Sequence, residues 1–151
     1  MLPNPLHPAV AHSPVVLAFL LPLFVGGRLW QIRRGTIVRR AWLLPTAAAA
    51  ALAASAWLSV QTGDAQGERV VGEAPLDTHE DTAEIFLFAS VAMTLVAATG
   101  FVTGITGRAA RVLTGVGSLA FVGLVTRVGH TGGQLVYQHG AASAYTTAGG
   151  Q

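Results

Sequence analysis

The sequence contains no cysteine and no lysine. Without cysteine there are no disulfides, no zinc–thiolate sites, no cysteine-held iron–sulfur clusters and no covalent c-type haem attachment. Histidine and carboxylate remain as the strong metal ligands. Charge is also scarce: 11% of residues are charged and 52% are hydrophobic, where a soluble domain carries about 25% charged residues. A chain so composed cannot cover a water-facing surface. The nine cations are all arginine, and the net charge is +2. They sit at the ends of apolar runs rather than along one solvated stripe, which argues against a nucleic-acid partner. Neither a GxSxG elbow nor a P-loop is present, and no nucleophile–base pair stands out. At most a redox role is left to it as an enzyme.

What the chain does have is four apolar stretches, predicting helices at about 10–30, 41–60, 82–104 and 111–137. Each approaches the ~20 residues that cross a bilayer. Pro14 suits a first turn, and Pro22 predicts a kink. Trp42 and Trp57 fall near the ends of the second helix, where amphipathic rings prefer the membrane interfaces. Gly100 with Gly104, and Gly129 with Gly133, form GxxxG pairs that predict close helix packing. No lysine or arginine precedes Arg28, so the first stretch lacks the charged start of a secretory signal and reads as an uncleaved helix.

Charge sets the expected orientation. Arg28, Arg33, Arg34, Arg39 and Arg40 flank the first connection, and Arg108 and Arg111 the third. By the positive-inside rule these ends are cytoplasmic. Asp64, Glu68, Glu73, Asp77, Glu80, Asp81 and Glu84, all the acids of the chain, lie between or at the start of the opposite helix ends. The prediction is an all-α, antiparallel four-helix transmembrane bundle spanning residues 1–140, N-out and C-out. A polar linker at 61–81, with a short surface helix around Ala65–Val71, lies outside, and the tail at 141–151 is expected to be disordered.

Every histidine falls at that outer face: His7 and His12 at the entry of the first helix, His79 at the entry of the third, His130 and His139 at the exit of the fourth. On the fourth helix Arg127, His130, Gln134 and Tyr137 share one face by their spacing. An arginine in a membrane helix is expensive and predicts a partner, for which Glu80 and Glu84 are nearest. His79-Glu80 and the residues after it lack the second histidine of HExxH, so a metalloprotease is rejected. Polar residues through the middle are few, chiefly Thr94, Thr99 and Ser118, which argues against a transporter.

Imidazoles from facing helices can ligate haem iron axially in a four-helix bundle. His12 and His130 are the first pair by this reading, with His79 competing for either place and Arg127 pairing a propionate or a linker acid. The alternative is a zinc, copper or iron ion held among His7, His12, His79, His130, His139, Glu80 and Glu84. A third reading is a structural anchor with no cofactor.

The stretch His7-Pro8-Ala9-Val10-Ala11-His12-Ser13-Pro14, the pair Thr62-Gly63, the pair His79-Glu80 and the run from Gly129 through His130-Thr131-Gly132-Gly133-Gln134 to Gly140 resemble a bacterial family of membrane proteins, domain-of-unknown-function family 2231. Ser13 departs from it, where an aromatic is usual. The resemblance covers nearly the whole chain and implies a four-helix domain of the bacterial inner membrane, multi-pass, without established activity. It also implies electron transfer as context, since relatives look to be fused to Rieske-type or cytochrome c domains, the kind of redox partner then expected beside the lipid bilayer. Carried over by position, the family's histidines fall on His7, His12, His79, His130 and His139.

Overall fold

The computed structural model describes residues 7–67 and 73–140. They form α1 (His7–Val10), α2 (His12–Arg33), α3 (Val38–Gly67), α4 (Glu73–Thr99) and α5 (Gly104–Tyr137). Among the described residues there is no strand. α1 leads almost directly into α2, and the two form one apolar span from His7 to Arg33. α2 packs on α3, α3 on α4 and α4 on α5, and α5 closes back on α2. This is the predicted antiparallel four-helix bundle.

The two short connections at the arginine end have local causes. Gly35 ends α2 with φ +94°, a backbone region where a Cβ is penalised. Its N–H bonds the Ile32 carbonyl, and the Thr36 N–H bonds the Gln31 carbonyl, which is the Schellman closure of a helix. Gly104 opens α5 with φ +77°, so this glycine serves a turn and not the packing expected of it.

The core is a narrow stripe from each helix, with many small residues that let backbones approach closely. Ala18, Leu21 and Val25 of α2 meet Ala49, Leu52 and Ala56 of α3, Phe86, Met93 and Ala97 of α4, and Phe121 and Val125 of α5. The Phe86 and Phe121 rings meet edge to face, 5.5 Å between centroids. The outward faces are apolar too: Leu23 is 69% exposed, Phe88 70% and Leu95 64%. A water-soluble bundle hides such residues, whereas lipid takes them. Four helices have the length and apolarity of membrane spans, so the chain is a multi-pass membrane-type bundle. The buried hydroxyls of Ser90, Thr114 and Ser118 bond carbonyls of their own helices, at 2.7–2.8 Å, and so need no partner across the core.

Three expectations are corrected. The linker expected at 61–81 is mostly helix, because α3 runs on to Gly67 and α4 already begins at Glu73. Thr62 bonds the Leu58 carbonyl behind it and stays in the helix, while Glu73, Pro75 and Asp77 suit a helix start. Of the surface helix expected at Ala65–Val71, residues 65–67 continue α3, while 68–71 lie outside the described residues, as does the expected tail at 141–151. Trp42 is not an interface ring: it is fully buried and donates its indole N–H to the Ala97 carbonyl at 2.8 Å. Gly100 makes the room, since a Cβ there would collide with that indole. At Gly129 and Gly133 a Cβ would meet nothing within 4 Å, so this GxxxG pair packs against no helix among the described residues.

Candidate functional site

Three contacts set the register of the bundle. Trp42 of α3 meets Ala97 of α4, Met93 of α4 meets Gly117 of α5, and Arg111 of α5 caps the Gly100 carbonyl after α4. About 20 residues further along each helix, roughly 30 Å, lie Thr62, His79 and Thr131. That distance matches one hydrocarbon core. The bundle therefore carries a tryptophan–arginine layer at one end and a histidine layer at the other.

Two histidines enter this second layer, and they are seated alike. His7 of α1 lies against α3, its Nδ1 2.9 Å from the Ser59 carbonyl and 3.2 Å from Thr62 Oγ1. Its ring lies over Gly63, where a Cβ would come within 3.2 Å of Cε1. His79 of α4 lies against α5, its Nδ1 2.9 Å from Thr131 Oγ1. That ring lies over Gly132, where a Cβ would come within 3.1 Å of Cε1. Each imidazole thus rests on a Thr-Gly pair: the threonine holds Nδ1 and the glycine admits the ring.

The bonds settle which nitrogen carries the proton. A carbonyl only accepts, so His7 donates from Nδ1 to Ser59. Thr131 gives its single hydroxyl proton to the Val128 carbonyl at 3.0 Å, so both of its contacts are made at once only when His79 donates from Nδ1. In the neutral rings the lone pair then sits on Nε2 in both cases. This is the arrangement of a metal-ligating histidine, whose other nitrogen donates to a carbonyl or hydroxyl and fixes the tautomer. The two seats stand on different helix pairs, His7 on α3 and His79 on α5, and α1 and α4 do not pack backbone to backbone.

Ser59 adds a further feature. Its hydroxyl is buried and has no hydrogen-bond partner among the described residues, on the same turn of α3 that receives His7. Buried polar groups are almost always bonded, and an orphan needs a reason.

The remaining predicted residues lie elsewhere. His12 is exposed, its Nδ1 donating to the Pro8 carbonyl at 2.6 Å. His130 is exposed on the far side of α5 from the core, and His139 is exposed beyond its end. The structure does not bring His12 and His130 together in the core. Arg127, His130, Gln134 and Tyr137 do share a face, but it points away from the bundle; Tyr137 is 89% exposed. An open groove of about 300 Å³ runs there, lined by Gly129, His130, Gly133, Gln134, Tyr137 and Gln138. Among the described residues Arg127 forms no ion pair, Glu84 is exposed and Glu80 is half-buried. Among those residues, too, no three histidine or carboxylate side chains converge as a metal site.

Sequence reasoning passed over Ser59, and it met Thr62, Gly63, Thr131 and Gly132 only within the motifs of the family resemblance, without a role for them. One signal was present: the dipeptide Thr-Gly stands near the end of both α3 and α5. Comparison of the chain with protein-family models finds no match. Neither the curated proteins nor the solved structures contain one either.

Proposed function

We propose that this chain is a membrane electron-transfer subunit that holds a haem b or a transition-metal ion at the histidine layer, with His7 and His79 as the candidate ligands. The reading rests on one observation: at one end of the bundle both rings are held through Nδ1, His7 by Ser59 and Thr62 and His79 by Thr131. Neutral imidazoles at the end of a four-helix bundle fit axial haem ligation and fit a metal ion equally. The orphaned Ser59 hydroxyl fits a bound group that carries a hydrogen-bonding atom. A bound cofactor would supply the one-electron chemistry. The chain's own part is to orient the two rings, hold their protons on Nδ1, and keep the rest of the bundle apolar.

Orientation follows from charge. Seven of the nine arginines cluster at one end, and the acids at the other, so the histidine layer faces outward in a cytoplasmic membrane. A redox partner such as a Rieske or cytochrome c domain would then meet it at the outer face. This agrees with the family that the end motifs resemble.

The test is the visible spectrum of detergent-purified protein before and after dithionite, with elemental analysis of the same sample. A Soret band that shifts on reduction, or one equivalent of metal, is expected. Either is lost in His7→Ala and His79→Ala and kept in His130→Ala. A flat spectrum with no metal, from cells supplied with both, would leave a structural anchor as the better reading.

A further inference from the structure

The outward surfaces of α4 and α5 carry opposite charges at one height. Arg127 lies 16 residues past Arg111 on α5, about 24 Å along the helix. It is exposed, inside the apolar span from Gly104 to Tyr137. Asp81 and Glu84 of α4 are exposed too, inside the span from Leu76 to Thr99. Among the described residues none of the three makes an ion pair. Contacts between the helices fix their heights. His79 meets Thr131, and Phe86 meets Phe121. Counted evenly between those contacts along two antiparallel rods, Asp81 stands opposite about Val128 and Glu84 opposite about Leu124. Arg127 falls between those two heights. It also stands one turn before Thr131, which holds His79, and so lies toward the α4 side of α5.

Charges on a lipid-facing surface are costly and call for partners. Arginine alone escapes by snorkelling to the headgroups, but the shorter side chains of Asp81 and Glu84 reach less far. Within one copy the outward side chains of neighbouring helices diverge. A second copy of the chain supplies what is missing. A two-fold axis along the membrane normal keeps every residue at its own depth and sets α5 of one copy against α4 of the other. Opposite charges then meet twice, once on each side of the axis. Gly123, one turn below Arg127, is exposed, and a Cβ there would meet nothing within 4 Å. Such a gap on an outward helix face admits a second backbone.

We infer that the chain forms a two-fold symmetric dimer through α4 and α5, in which Arg127 of each copy pairs with Asp81 and Glu84 of the other. The dimer is independent of what the histidine layer holds.

The experiment measures association of the full chain in phosphatidylcholine vesicles, by energy transfer between copies labelled with donor or acceptor at Thr36→Cys. Energy transfer should fall on dilution with lipid as a dimer dissociates. Arg127→Glu, and Asp81→Arg combined with Glu84→Arg, each set like charges across the axis and should weaken association at least about tenfold. Mixing these two variants should restore most of it, because every altered side chain then faces an opposite charge on the other copy. Pairing within one chain predicts no such rescue. Should either charge variant fail to fold, Gly123→Leu decides: its side chain meets nothing within one copy, yet it should weaken association about tenfold by filling the gap. A monomeric native chain, charge variants that associate as the native chain does, no rescue on mixing, or unchanged association in Gly123→Leu would each overturn the inference.

Discussion

His79 donates from Nδ1 to the hydroxyl of Thr131 across 2.9 Å, joining α4 to α5 at the histidine end of the bundle. Because Thr131 passes its own proton to the Val128 carbonyl, the imidazole is held in one tautomer. Thr131→Val removes that acceptor while keeping the shape. Cofactor or metal affinity should fall about 10–100-fold, and Thr131→Ser should restore most of it. Equal affinity in the valine and native proteins would show that the bond does not orient the ring.

Ser59 should respond in opposite ways with and without the bound group. A buried hydroxyl without a partner costs about 1–3 kcal/mol. Ser59→Ala should therefore raise the thermal midpoint of the cofactor-free protein, by the equivalent of about 1 kcal/mol. The same change should weaken cofactor binding. Loss of stability in the cofactor-free variant would mean that Ser59 already has a structural role.

The glycines of the two GxxxG pairs should differ sharply. At Gly100 a Cβ would collide with the Trp42 indole and crowd the Ala97 carbonyl, 2.9 Å away. Gly100→Ala should destabilise the bundle by about 1–3 kcal/mol, the usual cost of overpacking. At Gly133 nothing lies within 4 Å, and Gly133→Ala should be neutral or stabilising by up to about 1 kcal/mol. Unfolding in mixed detergent micelles measures both. A large loss at Gly133 would reveal a helix packed on that open face in the membrane.

Trp42 ties α3 to the end of α4. Trp42→Phe keeps most of the ring and loses the bond to Ala97, for about 0.5–1.5 kcal/mol. The Thr46 hydroxyl, 3.4 Å from the same carbonyl, limits that loss. Trp42→Ala empties a fully buried site and should cost about 3–5 kcal/mol. Similar losses for the two variants would mean that the hydrogen bond, and not the filling of space, dominates.

The absence of native cysteine makes the orientation directly measurable. Thr36→Cys and Asp77→Cys place single exposed thiols at the arginine and histidine ends. A membrane-impermeant maleimide added to intact cells should label Asp77→Cys, and should label Thr36→Cys only after the membrane is opened. The reverse pattern would invert the proposed topology.

Much of the fold was readable in advance because it depends on terms that add along the chain. Apolar runs of membrane length at 10–30, 41–60, 82–104 and 111–137 predict four helices, and the short arginine-flanked connections make neighbours antiparallel. Helix ends were less readable. Thr62 looks like loop chemistry, yet its hydroxyl bonds the carbonyl one turn behind it, and nothing in residue type alone distinguishes the two uses. Trp42 looked like an interface aromatic because its height was right, but height does not say which way a side chain faces.

The sequence by itself determined that this is a helical membrane-type chain, that its strong ligands are histidines, and that they gather at one end. Composition and spacing suffice for that, since depth follows from counting residues along a rod. Only the tertiary structure decided which histidines face inward. His12 and His130 share the depth of His7 and His79 but stand on outward faces, because the angle of a helix about its own axis is set by what its neighbours bury. The core stripes of α4 and α5, running through Phe86 and Phe121, turn His79 and Gly132 toward each other. The same rotation turns His130 away.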